Sequence, residues 1–137
     1  VISVNPKEIK FDEVKEKWNF YKLSDGATLK LKIVLVKVIK EGQDSRGNTS
    51  LGFQVTNVVG VTPTDDMIGS TSLGKDEYVE VTSSDEDWNE YNLEKDVTLM
   101  IKPFISQVIR TGEFDSKKIP IYVVQAQPLI KHKLKSR

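Results

Sequence analysis

The chain has 137 residues, 20 Lys and Arg against 20 Asp and Glu, one His, no Cys and 38% hydrophobic residues, which fits one compact domain or two very small ones. Without cysteine there is no disulfide framework, thiol nucleophile or Cys-based metal site, so stability has to come from a packed core. The longest nearly apolar run, 33–39, contains Lys37 and is far shorter than the roughly 20 residues that span a bilayer, and no basic-then-apolar signal segment opens the sequence, so no membrane partner is expected and a cytoplasmic location is the default.

The neutral total hides an uneven distribution. Lys and Arg minus Asp and Glu gives 9 − 5 = +4 for residues 1–40, 1 − 2 = −1 for 41–60, 2 − 11 = −9 for 61–96 and 8 − 2 = +6 for 97–137. The middle is acidic and the end basic, either an electrostatic footprint for an anionic partner or charges that cancel within the folded molecule.

In chain order, residues 7–20 fit two descriptions. Asn5-Pro6-Lys7-Glu8 has the make-up of a helix start, with Phe11, Val14, Trp18 and Tyr21 on one stripe. A short strand at 8–11 followed by a short helix or turn carrying Trp18 and Tyr21 fits equally. Ser24-Asp25-Gly26 then turns the chain into a long strand in which Leu29, Leu31, Ile33 and Leu35 alternate with Lys30 and Lys32. Val34, Val36 and Val38 add a second apolar face, which predicts a bent strand with a doubly buried centre. A loop containing Asp44-Ser45-Arg46-Gly47-Asn48 leads into a strand at 51–61, and residues 62–75 have the composition of a connector.

Beyond the connector, 78–81 reads as a strand and Ser84-Asp85-Glu86-Asp87 as a helix start. A second long strand covers 97–109. It carries Pro103, which cannot donate to a ladder and so marks an edge or a bulge. A loop with Asp115-Ser116 precedes a last strand at 119–130 bracketed by Pro120 and Pro128. Gln125 and Gln127 fall at positions where alternation points inward, and a basic tail, 131–137, contains Lys131, His132, Lys133, Lys135 and Arg137.

The chain also repeats itself. Shifted by 88 − 18 = 70 residues, 18–42 lies over 88–112 without a gap, and ten of the 25 pairs are identical: Trp18/Trp88, Asn19/Asn89, Tyr21/Tyr91, Leu23/Leu93, Thr28/Thr98, Leu29/Leu99, Lys32/Lys102, Val38/Val108, Ile39/Ile109 and Gly42/Gly112. Unrelated segments of average composition would share about one or two. The same shift places Leu51 and Phe53 over Ile121 and Val123. The expected organisation is one domain of two repeats, 5–61 and 76–130, joined by 62–75. The expected fold is all-β, or mainly β with one or two short helices: a six-stranded pseudo-two-fold barrel or sandwich built from two repeats that each contain a β-hairpin. Two small subdomains side by side are the alternative.

Tyr21-Lys22-Leu23-Ser24-Asp25-Gly26-Ala27-Thr28-Leu29 and Ile119-Pro120-Ile121-Tyr122-Val123-Val124-Gln125-Ala126-Gln127 resemble small archaeal β-proteins of no assigned function, in which a Trp-x-x-Tyr-x-Leu-x-Asp-Gly start leads into a long strand, an Asp-containing loop and a Pro-x-Tyr-Val-Val-Gln-type strand. The resemblance implies an archaeal origin and a fused duplication of a shorter protein. It carries over no catalytic residue. The second copy departs from it, with Lys95-Asp96 in place of Asp25-Gly26, and so does the first, with 52–57 opposite 122–127.

A single His excludes a multi-His metal site and makes a Ser-His-Asp triad implausible, and no glycine-rich phosphate loop occurs, so no cofactor or metal is expected. The candidate binding residues are the repeated aromatics Trp18, Tyr21, Trp88 and Tyr91 with the strand cations Lys30, Lys32, Lys102 and Arg110. The aromatics serve either as stacking sites or as core. The acidic run 85–87 is set against Lys15-Glu16-Lys17 in the first copy and reads as solvated surface. Three function classes follow. The first is a non-enzymatic module that binds a protein or itself through sheet edges or aromatic turns. The second is a single-stranded nucleic-acid binder, with the cations and the tail as a basic stripe. The third, an enzyme working with carboxylates alone, lacks a nucleophile–base pair.

Overall fold

The computed structural model describes residues 7–43, 45–46, 49–69, 74–94 and 96–134. Ten strands run in chain order: β1 (Lys7–Ile9), β2 (Phe11–Lys15), β3 (Asn19–Leu23), β4 (Thr28–Gln43), β5 (Thr49–Thr62), β6 (Glu77–Val79), β7 (Val81–Asp85), β8 (Asn89–Leu93), β9 (Val97–Phe114) and β10 (Pro120–Leu134), with one 3-10 turn at Asp65–Met67. They form two five-stranded antiparallel sheets, not a closed barrel. In the first sheet β4 pairs with β5 along one side and with β3 and then β1 along the other, and β7 lies beyond β3. In the second, β9 pairs with β10 on one side and with β8 and β6 on the other, and β2 lies beyond β8.

Two strands change sides. Strand β2 precedes β3 in sequence yet pairs with β8, Phe11 opposite Leu93 and Lys15 opposite Glu90. Strand β7 pairs with β3, Leu23 opposite Val81 and Phe20 opposite Asp85. Each sheet therefore contains a strand from the other half of the chain, which rules out two subdomains lying side by side. Six strands were expected and ten occur among the described residues: the segments read as a short helix or turn carrying Trp and Tyr form β3 and β8, and the strands read at 8–11 and 78–81 are each divided in two, β1 with β2 and β6 with β7, of which β2 and β7 are largely exposed. An edge strand held by backbone bonds alone leaves no hydrophobic period to read. The helix read at the start is absent: Lys7 and Glu8 lie in β1 and Phe11 and Val14 in β2, while Asn5 and Pro6 fall outside the described residues. Ser84 and Asp85, read as a second helix start, end β7. The backbone edges of β3 and β8 are satisfied by these segments as strands, which outweighs their weak helical period.

Corresponding pairings recur 70 residues apart. Asn19 faces Leu31 and Asn89 faces Ile101; Ile9 faces Val38 and Val79 faces Val108. In the hairpins the offset becomes 71 on the return strand, since Lys40 faces Leu51 while Arg110 faces Tyr122 (122 − 51 = 71). Leu51 and Phe53 thus correspond to Tyr122 and Val124, not to Ile121 and Val123. This one-residue slip reverses the face of every later side chain. Gln125 and Gln127 are exposed, and Tyr122, Val124 and Ala126 pack against the core.

Both sheets contribute to one apolar core. Leu29, Leu31, Ile33, Val38, Tyr91, Leu99 and Ile101 are fully enclosed, and each aliphatic side chain among them gains about 1.5–3 kcal/mol on burial. A bulge between Leu35 and Lys37 switches the inward parity from odd to even residues, so Val38 is buried and Val36 is exposed. The centre of β4 is therefore bent, as expected, but not buried on both faces. Pro103 faces Pro128 across β9 and β10. Neither has an N–H, so the two fit the ladder only as a non-hydrogen-bonded pair, with the missing donors directed outward. On its other side β9 has no strand partner among the described residues between Ile101 and Val108.

Candidate functional site

The segments that cross between the sheets, 16–18 and 86–88, meet each other, Lys17 lying 3.4 Å from Asp87. The side chain at the start of β3 or β8 receives each one. Asn19 Oδ1 accepts the Asp87 N–H at 2.8 Å, and Asn89 Oδ1 accepts the Lys17 N–H at 3.0 Å. The Asn89 Nδ2 amide also donates to the Ile33 carbonyl at 2.7 Å, and Asn19 Nδ2 to the Leu31 carbonyl at 3.3 Å. Both asparagines are 1% exposed; buried amides are tolerated only when bonded in this way.

Around them the aromatic pairs divide by role. The Tyr21 and Tyr91 rings belong to the core. The Tyr21 hydroxyl donates to Glu86 at 2.7 Å and the Tyr91 hydroxyl to Glu16 at 2.8 Å, while Lys102 lies 3.7 Å from Glu86 and Lys32 3.5 Å from Glu16. Burial, then the neighbouring carboxylate, pushes both phenols above their ordinary range. These two Tyr–Glu–Lys groups each draw members from both halves of the chain. The acidic run is therefore not merely solvated surface. Glu86 holds Tyr21, and Asp87 pairs with Lys15 at 3.3 Å and Lys17 at 3.4 Å. Bonds from Lys15 and then from the Trp88 N–H keep the Asp87 carboxyl below the usual carboxylate range.

Trp18 and Trp88 are half-buried on the outer faces. The ammonium groups of Lys30 and Lys32 lie 4.6 and 5.7 Å from the Trp18 ring centre, and those of Lys102 and Lys131 lie 5.4 and 5.1 Å from that of Trp88. Arg110 does not join this group. It lies 2.7 Å from Glu77 and 3.5 Å from Asp25, and Asp25 also accepts the Tyr122 hydroxyl. Lys131, His132 and Lys133 are part of β10 rather than of a tail, and the His132 ring lies 5.7 Å from that of Phe53. Lys135 and Arg137 are outside the described residues.

The uncovered stretch of β9 is the other distinctive feature. In the corresponding stretch of β4, side chains take the place of a missing strand: Asn89 caps the Ile33 carbonyl, and the Leu35 N–H donates to the Tyr91 hydroxyl at 3.4 Å. The matching groups on β9 are the Pro103 carbonyl and the Ile105 N–H, and no side chain among the described residues bonds to either. A cleft of about 270 Å³ runs beside them, lined by the apolar side chains of Val81, Phe104 and Leu129 and by Tyr21, Glu86 and Lys102 among others. A second hollow of about 470 Å³, lined by Tyr78, Glu80 and Ser106 among others, shares Val81 and Ile105 with it. Tyr78 and Phe104 are 76% and 52% exposed.

Among the described residues no group of three or more His, Asp or Glu side chains is placed to hold a metal ion, and no helix is long and apolar enough to cross a membrane. No protein-family model matches the chain, and no curated protein or solved structure gives a significant match. Sequence reading did not single out Glu16, Asn19, Asn89, Phe104 or Tyr122. The identity of Asn19 with Asn89 was a usable signal, since a polar residue repeated at the head of an apolar strand needs a bonding partner.

Proposed function

We propose that the chain is a non-enzymatic protein-binding or assembly module of an archaeal cytoplasmic protein, built as a pseudo-two-fold tandem duplication whose halves trade one strand each. The open edge of β9 carries this reading. Its free Pro103 carbonyl and Ile105 N–H lie at strand spacing beside apolar walls, and the first half satisfies the same two positions with an amide donor and a hydroxyl acceptor. An extended polypeptide laid along β9 would supply both groups from its own backbone and place alternate side chains against Phe104 and Val81, the mode known as strand addition.

Selection from a library of extended heptapeptides tests the proposal. Binders with period-two apolar residues are expected, and they should fail to bind Ile105→Pro, a substitution that removes the cleft-facing donor while leaving the β10 ladder intact. Absence of enriched peptides, or binding unchanged in Ile105→Pro and Phe104→Ser, refutes it. Size-exclusion chromatography with light scattering reads the self-association form of the same idea.

A second reading, a binder of single-stranded nucleic acid, is favoured by the two tryptophans flanked by paired lysines. It requires Trp fluorescence quenching by oligonucleotides that weakens steeply with salt and is lost in Trp18→Ala and Trp88→Ala.

A further inference from the structure

The two ends of the core differ in a way that points to a ligand. On the inner face at one end, Glu77, Arg110 and Tyr122 lie in a row across β6, β9 and β10. The row is closed on itself: Arg110 pairs with Glu77 and with Asp25, and the Tyr122 hydroxyl bonds to Asp25. The same row at the other end, across β1, β4 and β5, is Lys7, Lys40 and Leu51. Two lysines stand directly opposite each other where the second half has an ion pair, an arrangement that repels. No carboxylate among the described residues comes within ion-pair distance of either one, and the nearby Glu94 is exposed. Leu51 stands where Tyr122 fills the space, and a cavity of about 210 Å³ opens there, lined by Lys7, Lys40 and Glu94 and by the apolar side chains of Ile9, Leu51, Leu93 and Val97.

We infer that this cavity binds a small aliphatic carboxylate, with the anionic head between Lys7 and Lys40 and the alkyl chain against Ile9, Leu51, Leu93 and Val97. The head supplies the counter-charge that Glu77 and Asp25 supply at the other end, and the chain occupies the volume that Tyr122 takes there. Four of the seven lining side chains are apolar, which suits an alkyl chain. Ammonium groups at the rim of an apolar cavity bind an anion more strongly than they would in open water.

Calorimetry on the full chain with octanoate as probe tests the site, with acetate and octylamine as controls for head and chain. Saturable one-to-one octanoate binding is expected, with acetate at least about tenfold weaker and octylamine not binding. Two variants copy the closed end of the molecule. Lys7→Glu should pair with Lys40 as Glu77 does with Arg110, and Leu51→Tyr should fill the cavity as Tyr122 does. Both are expected to keep the wild-type circular dichroism spectrum and to melt no lower than wild type, yet to bind octanoate at least about tenfold more weakly. No saturable octanoate binding, or equal binding by wild type and Lys7→Glu, overturns the inference.

Discussion

Replacing Asn89 by Leu, and separately Asn19 by Leu, tests whether the crossing of the two halves rests on these buried amides. The swap keeps the branching and the number of heavy atoms of the side chain and removes its polar atoms. In Asn89→Leu the Ile33 carbonyl, which receives a 2.7 Å bond in a fully enclosed site, is left bare, at a cost of about 1–3 kcal/mol. The Lys17 N–H loses its acceptor closer to the surface, which adds about 0.5–1.5 kcal/mol. The sum, about 1.5–4.5 kcal/mol before the apolar gain of Leu is subtracted, leaves about 1–3 kcal/mol. In Asn19→Leu the Leu31 carbonyl loses only a 3.3 Å bond together with the Asp87 contact, so about 1–2 kcal/mol is expected. Urea denaturation followed by Trp fluorescence measures both. With a slope of about 2 kcal/mol/M, the Asn89 variant should move the midpoint by about 0.5–1.5 M. Tyr91→Phe should be non-additive with Asn89→Leu, because Asn89 Nδ2 and the Leu35 N–H both converge on the Tyr91 hydroxyl. An Asn89 variant no less stable than the Asn19 variant, or strict additivity with Tyr91→Phe, refutes the account.

Two further outcomes follow from the same centre. Lys15→Asp combined with Lys17→Asp makes both crossing segments acidic, turning attraction to Asp87 into repulsion. The melting temperature should fall, more at low than at high salt, and a salt-independent change would count against the electrostatic explanation. Alkaline pH acts on Tyr21, Tyr91 and Tyr122, whose phenols are raised by burial and then by Glu86, Glu16 and Asp25. Raised folded-state values mean that this stabilisation is complete below about pH 10, the unfolded value. It is lost as the pH climbs beyond that, where the unfolded chain ionises and the folded one resists. Tyrosinate absorbance and circular dichroism should therefore change together above about pH 10, and ionisation of these phenols with the fold intact contradicts the geometry.

Much of the architecture could be read from the linear chain. Alternation of Leu29, Leu31, Ile33 and Leu35 against lysines identified β4 and its inward face, because side-chain direction in a strand depends only on parity. The 70-residue shift of the self-match also relates Asn19–Leu31 to Asn89–Ile101, whereas the return strands of the two hairpins are offset by 71. Pro103 was expected at an edge or a bulge, and it lies where β9 has no partner among the described residues on one side. What the chain could not disclose was where each short strand pairs. Strands β2 and β7 carry almost no buried side chains, so their placement in the opposite sheet is set by which backbone edges remain open once the long hairpins have formed, a long-range condition with no local signature. The single-residue slip that brings Tyr122 rather than Ile121 inward is likewise a matter of hairpin register. The roles of the candidate site residues followed from that placement. Tyr21 and Tyr91 became core donors to Glu86 and Glu16, Arg110 closed one end of the core, and Lys7 and Lys40 were left facing each other at the other, because only the assembled sheets bring these distant charges and hydroxyls within bonding reach.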